Sequence, residues 1–117
     1  MEDIQSINAK KSLIDALERL SASASEQIKY LRKLGVLPSI DELALEFDDA
    51  FVLLPELVQK GYFTDHQANK IRLVDHHLSI MSDKKQLWTI KALESHSDWA
   101  EIRRLATAAL HSIESTT

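Results

Sequence analysis

Apolar residues recur at steps of three and four along the first third of the chain. Between Ile4 and Leu34 they form one stripe, made of Ile7, Ile14, Leu17, Ala24, Ile28 and Leu31. This spacing is typical of a helix with one buried face. The small residues 21–25 (SASAS) permit a hinge, a new N-cap at Ser25, or a small-residue face that allows close helix approach, but we favour one continuous or slightly kinked helix. Gly35 supplies a left-handed C-terminal position, so the helix is expected to end there.

A second helix is predicted from Ser39 to Gly61. Ser39 and Glu42 have the spacing of a capping box, in which each side chain bonds the backbone amide of the other residue. The expected buried face consists of Ile40, Leu43, Ala44, Phe47, Phe51 and Leu54. Pro55 is expected to kink or restart this helix, because proline lacks the amide donor that a helix interior requires.

Two further helices complete the pattern. Thr64 and Gln67 form a second capping box, which opens a third helix. Its buried stripe is predicted to be Ala68, Ile71, Val74, Leu78 and Met81. A short helical turn covers residues 88–95, and Ser97 or Asp98 begins the last helix. Its predicted core residues are Trp99, Ile102, Ala106, Ala109 and Ile113, with Arg103, Arg104 and His111 turned outward.

These patterns predict an all-α fold, a compact helical bundle of four main helices plus one short helix. Residues 1–117 are expected to form one helical domain, because the length suits a single core. The scarcity of glycine, with two in the chain, disfavours hairpins and phosphate-binding loops. We see no segment of alternating polarity that predicts a strand.

Composition narrows the possible chemistry. The chain has 44% hydrophobic residues, a formal net charge of -4 and no cysteine, so thiolate catalysis and zinc-thiolate sites are excluded. The first residues lack the apolar core of a signal peptide, and no long uncharged apolar run occurs. We therefore expect a cytoplasmic protein. Because the sequence lacks the helical metalloprotease, P-loop, Rossmann and nucleophile-elbow patterns, we also expect that it is not an enzyme and uses no cofactor.

The stretch LVDHHLS, residues 73–79, contains a triplet with possible metal chemistry. Asp75, His76 and His77 resemble the signature of the DHH phosphoesterases, which implies a metal pair beside a scissile phosphate. That family combines the triplet with further aspartates from an upstream motif. On a helix, however, consecutive side chains point about 100° apart and do not converge on one ion. We predict ordinary surface and boundary residues and no metal site.

A second resemblance concerns residues 38–64. Within PSIDELALEFDDAFVLLPELVQKGYFT, the letters IDELA resemble the opening of a winged-helix segment and KGYFT its end, which implies a DNA-binding regulator. The recognition helix would span residues 50–60, where Lys60 is the only basic residue and Pro55 interrupts the helix. Such an acidic, apolar segment would repel DNA. DNA binding therefore remains an alternative only.

The acidic part of the second helix is the main functional indication. Residues 41–56 contain six acidic residues and no Lys or Arg. The candidate partner-binding residues are Glu42, Leu45, Glu46, Asp49, Val52 and Leu53. Apolar side chains rimmed by carboxylates are expected of an interaction surface. The alternative is a helix buried on two sides, or a change of phase at Pro55 that returns Val52 and Leu53 to the core.

These residues predict a non-enzymatic protein that binds another protein, whose surface is basic. One subtype is an immunity-like or antitoxin-like protein, in which the acidic residues cover a cationic active site. The remaining alternatives are a metal- or carboxylate-dependent enzyme and a structural homodimer. The homodimer is considered because the basic residues cluster elsewhere on the chain.

Overall fold

The computed structural model describes residues 3–37 and 39–115. Within these residues the secondary structure is helical, without strands, which confirms the all-α bundle. The helices are α1 (Ile4–Ser21), α2 (Ala24–Leu34), α3 (Glu42–Phe51), α4 (Leu54–Gln59), α5 (Asp65–Met81), α6 (Ile90–Ser95) and α7 (Ser97–Glu114), with a 3₁₀ turn at Lys85–Leu87.

The predicted continuous first helix is wrong, because the chain breaks between α1 and α2. Ser23 is extended and caps α2, since its hydroxyl accepts a hydrogen bond from the Glu26 amide at 3.2 Å. The carbonyls at the end of α1 are also satisfied, because Gln27 Nε2 donates to the oxygens of Arg19 and Leu20 at 3.1 Å each. The N-cap of the new helix is therefore Ser23 and not Ser25, while Gly35 takes the expected left-handed conformation, with φ 74°.

The start of α3 also differs from the prediction. The Ser39–Glu42 capping box does not form, and α3 begins at Glu42 without a side-chain cap. Ser39 lies three residues before the first helical residue and supplies only its carbonyl oxygen, which accepts from the Glu42 amide at 3.3 Å. The intervening turn places Ile40 in the core, where it is 1% exposed. The start of α3 is therefore preceded by a turn that buries Ile40, and not by a capping box.

Pro55 restarts the helix as predicted. The chain leaves α3 at Val52 and Leu53, and Pro55 lies in the first turn of α4, where its missing amide costs no hydrogen bond. Gly61 then adopts a left-handed conformation, with φ 82°, after α4.

The predicted starts and buried stripes of α5 and α7 are confirmed, whereas the Arg103 side chain of α7 is half-buried and not turned outward. Both hydrogen bonds of the Thr64–Gln67 capping box are present, and α5 follows at Asp65. All five predicted core residues of α5 and all five of α7 are buried. These two helices have regular apolar stripes and definite starts, so local sequence was sufficient to locate them.

Helix α7 lies at the centre of the bundle, packed against α1 and α5, and α3 packs against α1 and, over a smaller contact, against α5. One hydrophobic core runs through these helices. The buried face of α1 is Leu13, Ala16, Leu17 and Leu20, whereas the predicted Ile7 is 41% exposed. Of the other predicted stripe residues, Leu17 and Leu31 are buried, and Ile14, Ala24 and Ile28 pack partly buried against the core, so the assignment was wrong at Ile7.

The segment between α5 and α7 is held by the two tryptophans. Trp99 Nε1 donates to the Leu87 carbonyl at 2.6 Å, and Trp88 Nε1 donates to the Met81 carbonyl at 2.9 Å. The rings meet edge to face, with centroids 5.4 Å apart. Both indole donors are therefore satisfied while the rings fill the core.

Candidate functional site

The outward side of α3 carries exposed apolar residues. Leu45 and Val52 are 48% and 71% exposed, although both are large aliphatic side chains. They lie seven residues apart, so two helical turns place them on one line along the helix. Leu53 is also exposed at 41%, which excludes the alternative in which Val52 and Leu53 return to the core.

Carboxylates surround this apolar line. We call Asp41, Glu42, Leu45, Asp48, Asp49 and Val52 together the α3 face. Within the described residues, none of its four acidic side chains has an ion-pair partner. Burial raises the pKa of Asp48, and the charges of Asp75 on α5 and of Asp49 raise it further. The α3 face is therefore a region of uncompensated negative charge.

Glu46 was expected to be an unpaired acidic residue of this face, but it contacts two other helices. The Tyr30 hydroxyl donates a hydrogen bond to Glu46 Oε2, and Arg19 Nε lies 3.4 Å from Glu46 Oε1. The Arg19 guanidinium stacks on the Tyr30 ring, 3.5 Å from its centroid. Burial and the Glu46 carboxylate raise the pKa of Tyr30 to about 12, so the hydroxyl remains a donor at neutral pH. Glu46 thus joins α3 to α1 and α2.

Two open clefts lie on either side of this Arg19–Tyr30–Glu46 junction. The first, of about 430 Å³, runs between α1 and α3, and its lining includes Asp15, Asp49 and Leu53. The second, of similar volume, lies between α1 and α2 and is lined by acidic and basic side chains in equal number. Both are shallow and open to solvent, so neither resembles an enclosed ligand cavity.

The six predicted partner-binding residues therefore divide into two groups. Glu42, Leu45, Asp49 and Val52 lie together on the α3 face. Glu46 and Leu53 point to the side that faces α1, where they line the first cleft together with Asp49, which belongs to both the α3 face and the cleft. Sequence reasoning missed Arg19 and Tyr30 because their contacts join different helices, for which the spacing along the chain gives no signal.

The stretch LVDHHLS lies within α5. His76 is exposed, while His77 points towards α7 and its Nε2 lies 3.1 Å from Asp98 Oδ1. Asp75 lies on the side of α5 towards α3, and its charge raises the pKa of Asp48 there. Among the described residues, no three His, Asp or Glu side chains are arranged to hold a metal ion. The three side chains therefore point in different directions, as consecutive residues on a helix must.

The segment that resembles a winged helix has a different architecture. The would-be recognition helix is divided between the end of α3 and the short α4, where Leu54 and Leu57 are buried. Helix α5 follows, and the described residues contain no strand that could form a wing. This geometry gives the segment no continuous exposed helix for a DNA groove.

Comparisons with family models, with curated proteins and with solved structures found no match. In the part of the chain that the structure describes, no helix combines the length and the apolar character required to cross a membrane.

Proposed function

We propose that the chain is a non-enzymatic interaction module, which binds another protein through the α3 face. The observation that carries the proposal is the exposed pair Leu45 and Val52, surrounded by carboxylates that have no ion-pair partner among the described residues. An apolar centre with a polar rim is the usual anatomy of a protein interface. The partner surface would be apolar at its centre and basic around it.

The charge of the α3 face also bears on how a partner arrives. Carboxylates without an ion-pair partner among the described residues attract a basic surface over about 8 to 10 Å at moderate ionic strength. Their main effect would be on the association rate. An immunity-like or antitoxin-like role is the more specific hypothesis, in which Glu42 and Asp49 would cover a cationic active site of the partner.

The test compares two charge-reversal variants in affinity capture from an extract of the source organism. In the first variant, Glu42 and Asp49 become lysine on the α3 face. In the matched control, Asp83 and Glu94 become lysine on the loop after α5 and on α6, where both residues are exposed. Each double variant changes the formal net charge from -4 to 0, so the comparison isolates position from total charge.

Wild-type protein and the control should retain the same protein, and rising salt should release it. The association rate of the α3 variant with that protein should be at least about tenfold lower, and its circular dichroism spectrum should be unchanged. Equal retention and equal salt dependence for all three proteins would show that the α3 face is only a solvated surface.

A further inference from the structure

The first cleft, which runs between α1 and α3, is open because small side chains line it. These small residues are Ala9, Ser12 and Ala16 on α1 and Ala50 on α3. The three on α1 are spaced by three and four positions, so they follow one side of that helix over about 10 Å. They leave a volume of about 430 Å³ beside the exposed Leu53. The cleft therefore offers room and apolar contact to a side chain that enters from solvent.

The lining of the first cleft carries more negative than positive charge. Its carboxylates belong to Asp15, Glu46 and Asp49, and its cation is Arg19. Arg19 pairs with Glu46, whereas Asp15 and Asp49 have no ion-pair partner among the described residues. The second cleft, in contrast, is lined by acidic and basic side chains in equal number. The charge of the first cleft therefore favours a cationic group as its occupant.

One end of the first cleft already contains a guanidinium group. Arg19 stacks on the Tyr30 ring, 3.5 Å from its centroid, and lies 3.4 Å from the Glu46 carboxylate. The Tyr30 hydroxyl donates a hydrogen bond to the same carboxylate. This junction compensates the charge of Glu46 within the chain. The carboxylates of Asp15 and Asp49, which come from different helices and line the same cleft, are left for an external group.

We propose that the protein bound by the α3 face inserts an arginine side chain into the first cleft, between the carboxylates of Asp15 and Asp49. The inference rests on the proposed function and names the group that anchors the partner. The aliphatic stem of an arginine would lie on Ala16 and Ala50, while its planar guanidinium offers donors to both carboxylates. Lysine carries a compact ammonium group and lacks this planar arrangement of donors.

The first cleft and the α3 face form one continuous surface, because Asp49 belongs to both. Protein interfaces usually contain a few anchoring side chains that enter pockets on the partner, and arginine is enriched among these anchors. The α3 face would supply the apolar centre of the interface, and the first cleft would supply the pocket for the anchor. The binding surface would therefore extend across α1 to Asp15, which lies outside the α3 face.

The experiment is a heteronuclear NMR titration of the wild-type protein with N-acetyl-arginine amide as the probe. Saturable shifts should be confined to backbone amides around the first cleft, with a dissociation constant on the order of millimolar, because one side chain makes few contacts. The corresponding citrulline probe has nearly the same shape without the charge, and it should bind at least about tenfold more weakly. The corresponding lysine probe should also bind more weakly than the arginine probe.

Two variants and their matched controls locate the site of the arginine probe. Ser12→Phe fills the cleft without a change of charge and should weaken binding by about tenfold or more, whereas Ser25→Phe, at an exposed serine of α2 outside the cleft lining, should bind like wild type. Asp15→Asn should weaken binding by about three- to tenfold, whereas Asp83→Asn in the exposed loop after α5 should have no effect. All four variants should keep the wild-type circular dichroism spectrum.

Several outcomes would overturn the proposal. They are arginine and citrulline or lysine probes that bind equally, shifts spread over carboxylates around the whole protein, and a Ser12→Phe or Asp15→Asn variant that binds the arginine probe like wild type. The proposed function is judged separately, because its capture experiment changes Glu42 and Asp49. If that reversal abolishes capture of a protein which Ser12→Phe and Asp15→Asn still retain, the α3 face binds its partner and the arginine anchor is wrong.

Discussion

Gln27 and Arg103 form a polar contact whose removal should strongly destabilise the bundle. The Gln27 side chain is 1% exposed, and its oxygen accepts from Arg103 Nε and Nη2 at 3.3 and 3.1 Å. Its nitrogen satisfies the last carbonyls of α1, and Arg103 also donates to the Leu93 carbonyl on α6. The expectation that Arg103 turns outward is therefore wrong, because this side chain connects α7 to α2 and α6. Burial lowers its pKa, in agreement with a partly desolvated guanidinium.

The size of the effect follows from the groups left without partners. Gln27→Leu conserves most of the volume but leaves Arg103 with one protein acceptor and removes two donors from the end of α1. An unsatisfied buried polar group costs about 1 to 3 kcal/mol, so we expect a loss of about 2 to 4 kcal/mol in the free energy of unfolding. Arg103→Met leaves the side-chain oxygen of Gln27 and the carbonyl oxygen of Leu93 without their donor. We expect a loss of about 2 to 3 kcal/mol in the free energy of unfolding, because the site remains partly open to water.

The two changes should not be additive. A hydrogen bond to a charged group contributes about 1.5 to 3 kcal/mol, and partial exposure of Arg103 reduces this to about 1 to 2 kcal/mol. The double variant should therefore lose about 1 to 2 kcal/mol less than the sum of the single losses. Urea unfolding followed by circular dichroism gives each free energy, with the slope of the transition as a check on the unfolded state.

The neighbouring Arg104 is a matched control. Its side chain is 65% exposed and pairs with Glu101 one turn away, at 2.6 Å. Arg104→Met should change the free energy of unfolding by no more than about 0.5 kcal/mol, as for most surface ion pairs. If Arg103→Met costs no more than Arg104→Met, or if the Gln27 and Arg103 losses simply add, the contact does not stabilise the bundle as argued.

Two pH effects follow from shifted carboxyl groups. The raised pKa of Asp48 means that its charged form is disfavoured in the fold, so stability is lost as pH rises through that pKa. Asp48→Asn should therefore raise the melting temperature at pH near 7, and the gain should vanish below about pH 4, where wild type is protonated. In contrast, hydrogen bonds from Lys60 and Ser6 lower the pKa of Asp3 to about 2, so its contribution is present above about pH 4 and lost as pH falls towards 2. Asp3→Asn keeps the cap oxygen but should lower the melting temperature at neutral pH. Between pH 4 and 2 its melting temperature should fall less than that of wild type. Equal falls in both proteins would contradict this.

Local sequence was sufficient where one helix has both a definite start and a regular apolar stripe. Thr64 and Gln67 bond each other over three residues, and the core residues of α5 repeat without interruption. These interactions are short in sequence, so spacing alone locates them. The same reasoning located α7 and the restart at Pro55.

Sequence spacing failed where contacts between helices decide the structure. The break at Ser23 depends partly on Gln27, whose amide bonds the end of the preceding helix. Glu46 has the spacing of an exposed acidic residue, but Tyr30 and Arg19 from two other helices bind it. Part of the candidate site could be predicted, because helical periodicity alone places four residues on one face of α3. These are Glu42, Leu45, Asp49 and Val52.

The paired tryptophans determine what intrinsic fluorescence can detect in this protein. Trp88 and Trp99 are its two tryptophans, and they contact each other beside the 3₁₀ turn. Emission therefore reports how the connection between α5 and α7 is packed, whereas the α3 face contains no tryptophan of its own. Circular dichroism averages over all helices. The two signals should therefore coincide during urea unfolding only if helices α1 and α3 unfold together with the tryptophan pair as one cooperative unit.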